Sequence, residues 1–151
     1  MARPPPVEQT FYYAVPPSTV FAALTEPAQL ARWFVKRAAI APRKGSAFRL
    51  TWHGGYSMAG KVQGATRPRR LVLAWDDRFD DGKVFRTEVR FDLRKKGKGT
   101  LLTVTHRGFK GGKRWTALYG GIAAGWAHYL TNLRSVLEHG TDLRSDLDRL
   151  S

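Results

Sequence analysis

The sequence predicts an α+β domain in which a curved antiparallel sheet wraps around one long C-terminal helix, with two short helices after the first strand. Three observations predict it. In Gly125–Gly140, Trp126, Tyr129, Leu130, Leu133, Val136 and Leu137, preceded by Ile122, recur at three- and four-residue spacing, so they share one helical face. From about residue 36 to residue 106 the apolar residues alternate with polar ones at period two, broken by glycine- and aspartate-bearing turns. Between this run and an earlier alternating segment stand two short proline-marked helix signals. The helix face carries two aromatics and needs a broad partner, which only the apolar side of a sheet can supply.

Taken in order, residues 1–6 form a proline-rich leader, unable to join a helix or ladder. The domain runs from 7 to 140. Its first strand reads Val7–Val15, with Phe11, Tyr13 and Val15 alternating against Thr10, Tyr12 and Ala14, and Pro16–Pro17 ends it. Ser18 is the expected cap of a helix through Leu24. Thr25 is the expected cap of a second helix with Pro27 in its first turn and Leu30, Trp33 and Phe34 inside.

Ala38–Pro42 is a weak strand. Phe48, Leu50 and Trp52 alternate with Arg49, Thr51 and His53 before a Gly54–Gly55 turn, and Met58, Gly60 and Val62 form the next set. Leu71, Leu73 and Trp75 follow the Arg67–Arg70 connection, and Asp80–Asp81–Gly82 marks a hairpin. Val89, Phe91 and Leu93, then Leu102, Val104 and His106, are the last two strands. Residues 108–121 read as a glycine-rich, basic connection holding Phe109, Trp115 and Tyr119. Gly140 suits a left-handed helix stop. Residues 141–151 are a polar tail, frayed or in a short turn. Strands joined by short turns give an antiparallel meander. Its inner face presents Phe48, Leu50, Trp52, Leu73, Trp75, Val89, Phe91 and Val104 to the C-terminal helix.

The 151 residues suit a single domain with its own core. The absence of cysteine excludes disulfides, thiolate metal sites and cysteine nucleophiles. No apolar run approaches the ~20 residues of a membrane span, and no signal-peptide core precedes the domain, which fits a cytoplasmic protein. The 26 lysines and arginines against 12 aspartates and glutamates give a net charge of +14. That favours anionic partners and weak, low-salt binding to nucleic acid without fixing a function.

Several stretches together resemble a known family. They are Val20–Pro27 with Leu30 and Trp33–Phe34; Gly60–Val62 followed by Arg70–Trp75; Gly99–His106 with Gly108–Phe109; and Gly125–Trp126, Tyr129–Leu130 and Leu133. In this order they are similar to the activator-of-heat-shock-protein-90-ATPase homologue-like family of the START-like (SRPBCC) superfamily, whose fold is the helix grip. The resemblance implies a cavity between sheet and long helix. It also implies a function range from binding apolar molecules, through chaperone-related protein interaction and stress response, to cyclase- or hydrolase-like catalysis.

For the site, the aromatic interior can either line a pocket or fill the core. The candidate ligand-binding set is Phe48, Leu50, Trp52, Leu73, Trp75, Val89, Phe91, Val104, His106, Trp126, Tyr129, Leu130 and Leu133. His106 shares the inward parity of Val104, so it is either a ligand donor or general base, or a core histidine held by hydrogen bonds. Asp76, Asp77, Asp80 and Asp81 cluster at one turn without the spacing of a cation loop, and ordinary turn chemistry accounts for them. No histidine spacing fits zinc, and no phosphate loop or nucleophile elbow is present, so no metal and no cofactor is expected. The expected function is binding of an apolar or amphipathic small molecule between sheet and helix. Any anionic end would meet basic residues at the mouth, and residues 110–119 would serve as a gate. The alternatives are a protein partner on the cationic surface and an enzyme with His106 as base. Monomer and dimer are both compatible with the sequence.

Overall fold

The computed structural model describes residues 2–144. Met1 and residues 145–151, and with them the first residue of the expected leader and most of the expected tail, lie outside the described residues. Residues 2–6 carry neither helix nor strand. The elements are β1 (Val7–Tyr13), α1 (Pro17–Thr25), α2 (Pro27–Trp33), β2 (Arg37–Ala39), β3 (Ala47–Thr51), β4 (Ser57–Thr66), β5 (Arg70–Arg78), β6 (Val84–Lys96), β7 (Gly99–Arg107) and α3 (Lys113–His139). The seven strands form one sheet in the order β1-β7-β6-β5-β4-β3-β2, every pair antiparallel. β2 to β7 are the expected meander. β1 closes on the last strand, with Val7 opposite His106 and Tyr13 opposite Thr100.

The alternation fixes which side is buried. Leu71, Leu73 and Trp75 of β5 and Val89, Phe91 and Leu93 of β6 are all buried on the inner side. Gly60 falls on the same side of β4, where a Cβ would collide with the Phe48 ring and the Ala74 carbonyl, so glycine lets the strands curve and close. α1 and α2 close one end of this trough. Trp33 donates its indole N–H to Ala23 O at 2.9 Å, which ties the two helices together.

The helix caps differ from expectation. Pro17 and Pro27 occupy first-turn positions, so the caps are the residues before them, Pro16 and Glu26, neither with a side-chain cap bond. Ser18 therefore lies inside the first turn of α1. The Thr25 hydroxyl instead donates back to Phe21 O at 2.8 Å and belongs to the end of α1.

The larger correction concerns α3. Its 27 residues begin at Lys113, so the basic connection shrinks to residues 108–112 and the expected gate is mostly helix. Gly120, Gly121 and Gly125 lie inside the helix, each costing about 1 kcal/mol of propensity relative to alanine. Burial outweighs this cost. Trp115, Tyr119 and Ile122 extend the apolar stripe of Trp126 and Leu130 toward the N-terminus. Trp115 packs against Phe79 at 5.2 Å and Phe85 at 5.3 Å, and Tyr119 meets Phe109 at 5.3 Å. Gly140, at φ 68°, ends the helix in the left-handed cap that the sequence predicts.

The first residues of the tail are not frayed. Asn132 on α3 donates to Trp33 O at 2.9 Å and accepts the Leu143 N–H at 2.6 Å. Arg144 is buried and donates to Val35 O at 3.1 Å and Ala31 O at 2.9 Å, while pairing with Asp142 at 2.9 Å. It supplies partners to carbonyls at the end of α2 that the helix itself leaves open.

Candidate ligand-binding cavity

The inner face of the sheet, the α2–β2 corner and α3 leave a cavity of about 350 Å³. This is at the small end of the range for small-molecule sites. Its lining is Phe34, Trp52, Tyr56, Trp75, Asp77, His106, Gly121, Ile122, Gly125, Trp126 and Tyr129. Each arrives by simple local rules. Trp75 and Asp77 are inward residues of β5; Trp52 follows β3, its N–H bonded to Tyr56 O at 2.8 Å across the Gly54–Gly55 turn. Ile122, Trp126 and Tyr129 are successive positions on the α3 stripe. Phe34 stands at the C-terminal end of α2.

The rings form a continuous wall. Phe34 stacks on Trp126 at 5.6 Å and meets Tyr129 edge-on at 5.0 Å and Trp52 edge-on at 5.2 Å. Trp75 lies 5.7 Å from Trp126 and 6.4 Å from Trp52. The α3 side contributes Gly121 and Gly125, where an added Cβ would meet nothing within 4 Å. The room on that side exists because two side chains are missing.

Of the thirteen residues expected at the site, Trp52, Trp75, His106, Trp126 and Tyr129 line this cavity. Phe48, Leu50, Leu73, Val89, Phe91, Val104, Leu130 and Leu133 are buried in the core and do not line it. Where Leu50, Leu73 and Phe91 face Leu24, Leu30 and Trp33, about 10 Å³ remains, room for one water at most. Trp33 and Phe34 fill the trough at that end and confine the opening to the other. Phe34, Tyr56, Asp77, Ile122 and the two glycines were not expected. For Asp77 the signal was present, since it continues the period of Leu71, Leu73 and Trp75.

His106 is a fixed, neutral side chain. Trp126 donates its indole N–H to Nδ1 at 3.0 Å, so Nε2 carries the proton and donates to the Thr87 hydroxyl at 2.7 Å. Thr87 in turn donates to Trp75 O at 3.4 Å. Burial pushes the imidazole pKa down to about 3. With both nitrogens committed and the charged form disfavoured, His106 has no lone pair to offer a substrate. Of the two readings of this residue, the core histidine is the one the geometry supports.

The aspartates of the hairpin separate. Asp76 faces outward and pairs with Arg86 at 2.5 Å, and Asp81 pairs with Arg114 at 2.8 Å. Asp77 faces inward, its Oδ1 accepting the Arg78 N–H at 2.8 Å. Burial pushes its pKa up, against that hydrogen bond. It carries the only formal charge among the described residues lining the cavity. The basic stretches divide between the two ends of the sheet. Arg67–Arg70 and Arg94–Lys98 sit at the opposite end of the sheet, where Arg70 faces Asp92, while Lys110–Arg114 lies at the cavity end.

A seven-stranded antiparallel sheet gripping a long C-terminal helix, with an aromatic cavity between them, defines a helix-grip domain of the START-like superfamily. The chain belongs to the family described as Activator of Hsp90 ATPase homolog 1-like protein, matched over residues 14–138. Among solved structures it is similar to a protein of Bacillus halodurans, with 25% identity, a TM-score of 0.75, and coverage of 91% of this chain and 100% of that one. It is also similar to the Aha1 dimer from Colwellia psychrerythraea, with 21% identity, a TM-score of 0.75, and coverage of 90% and 98%. A third is DynU16, a protein of the dynemicin biosynthetic locus, with 21% identity and a TM-score of 0.79; the match covers 95% of this chain and 51% of that one. No curated protein sequence matches. Among the described residues no helix is long and apolar enough to cross a membrane.

Proposed function

We propose that this protein binds a small apolar or amphipathic molecule in the cavity between β5 and α3. The observation that carries the reading is the wall formed by Trp52, Trp75, Trp126 and Tyr129 around about 350 Å³ of space. Size alone does not mark this cleft; its lining does, being built almost wholly of aromatic and apolar side chains with few polar groups, the character of small-molecule sites. Here the trough is packed tight at the α2 end and open at the other, and α3 carries glycines at the open part. Binding rather than catalysis is favoured, because the one inward histidine is neutral and engaged through both nitrogens. The location of DynU16 in a biosynthetic locus is in keeping with small organic ligands for such a fold.

The test is a native mass spectrum of protein purified in high salt, which strips ions from the cationic surface but leaves an apolar ligand in place. A discrete extra mass, lost on gentle activation and absent after Gly121→Ala/Gly125→Ala substitution, is the expected result. For a protein that comes out bare, the same spectrum is repeated after incubation with a library of small aromatic compounds. Failure of every compound to bind would overturn the reading.

A further inference from the structure

We infer that the ligand is an organic cation, a protonated amine or quaternary ammonium carried on an apolar body, held with its charge against Asp77. This rests on the cavity being a binding site, and it names the chemistry of the occupant.

The inference starts from charge placement. The chain carries 26 lysines and arginines, yet none of those among the described residues lines the cavity. The imidazole at the wall, His106, is neutral and fixed by Trp126 and Thr87. What remains is one carboxylate. Asp77 lies on the inner side of β5, opposite Phe85, which is buried. Elsewhere in the molecule Asp76, Asp81, Glu88, Asp92, Glu138 and Asp142 each hold an arginine. Among the described residues Glu8, Glu26 and Asp80 hold none either, but these are exposed, whereas Asp77 is half-buried at the cavity wall, where it accepts the Arg78 backbone N–H.

A half-buried carboxylate beside apolar rings is costly unless a cation meets it. The rings supply the second half of a cation site. Trp52 lies 5.6 Å from Tyr56 and 6.4 Å from Trp75, and all three rings line the cavity together with Asp77. Tryptophan and tyrosine faces attract organic cations, most of all where water is excluded. An anionic ligand would set like charges together in that same space. A neutral one would leave Asp77 without its counter-charge. The apolar body then lies along Ile122 and the Trp126–Phe34 stack, where the lining has no polar side chain to satisfy.

The test uses three probes with one ring system and different heads: 2-(2-naphthyl)ethylamine, 2-(2-naphthyl)ethanol and 2-naphthylacetate. Affinities are measured by calorimetry, and the site is located by the indole N–H signals of Trp75 and Trp126 in ¹H–¹⁵N spectra. The amine should bind at least tenfold more tightly than the alcohol, and the acetate most weakly. Asp77→Asn, checked by melting, should remove the amine's advantage while leaving the alcohol's affinity within about twofold. If the alcohol shifts both indole signals and binds as tightly as the amine in the natural protein, the charge assignment is overturned and the cavity reading stands. That comparison needs no variant, so it decides the matter even where Asp77→Asn fails to fold. If no probe moves either indole signal, the cavity reading fails and this inference with it.

Discussion

The indole N–H of Trp126 ends 3.0 Å from Nδ1 of His106, so a residue of α3 chooses the tautomer of a residue of β7. The Thr87 hydroxyl completes the arrangement on β6 at 2.7 Å from Nε2. Three elements are thereby locked at one buried point beside the cavity, and the cavity wall is held by a directional polar network as well as by packing.

One consequence is a pH dependence of stability. His106 stays unprotonated in the folded protein down to about 3, whereas an unfolded imidazole takes up its proton near 6.5. The folded state thus has the depressed pKa. Its contribution is fully present above about pH 6.5 and is lost progressively as pH falls toward 3, at up to roughly 1.4 kcal/mol per pH unit. Urea unfolding between pH 7 and 5 should show about one proton taken up on unfolding. A His106→Gln variant, less stable at pH 7, should lose that slope. A flat natural profile over this range would contradict the assignment.

Trp126→Phe keeps an aromatic face on α3 but leaves Nδ1 buried without a donor. The expected cost is about 1–3 kcal/mol in chemical denaturation. A smaller change would mean that water or a rotated ring replaces the lost bond.

Gly121 and Gly125 carry an opposed pair of effects. Each sits in helix with open space where a methyl would go. Replacing both by alanine should stabilise α3 by about 1–2 kcal/mol in total and raise the melting temperature. The same methyls intrude on the cavity from its α3 wall, so the naphthyl probes should bind at least tenfold more weakly. Stabilisation with undiminished binding would place the ligand elsewhere.

Removing Arg144 tests the docking of the chain after α3. Arg144→Met should cost about 2–3 kcal/mol, because the Ala31 and Val35 carbonyls lose a charged donor. Burial alone would raise the Asp142 pKa, but hydrogen bonds from Arg144 and Asn132 hold it down to about 2, below the ordinary 3.8. Its contribution is therefore present above about pH 4 and lost as pH falls toward 2. The melting temperature of Asp142→Asn should depend less on pH over that interval than that of the natural protein.

The sheet was legible because strand period and burial agree. Leu71, Leu73, Trp75 and Val89, Phe91, Leu93 say which side is inner before any contact is known. The start of α3 was not, because Gly120 and Gly121 read as a break. Their cost is overcome by Trp115 and Tyr119 meeting Phe79, Phe85 and Phe109, contacts that no local window contains. The site was partly legible for the same reason. Trp52, Trp75, Trp126 and Tyr129 are inward by period, but whether inward residues surround space or fill it depends on Phe34 and on two missing side chains across the trough. Asp77 was hidden by its company. Three neighbouring aspartates belong to turn and surface chemistry, and only the strand register separates it from them.

The pairing of β1 with β7, and of the Tyr13 hydroxyl with Leu130 O, joins residues some 90 to 117 positions apart. During synthesis the first strand emerges long before its neighbour exists. The inner faces of β3 to β7 then wait uncovered until α3 follows. Nonlocal closure of this kind slows folding, and an uncovered apolar sheet invites association with other chains. The riskiest interval for this domain therefore comes just before α3, and the yield of folded domain depends on how quickly that helix arrives.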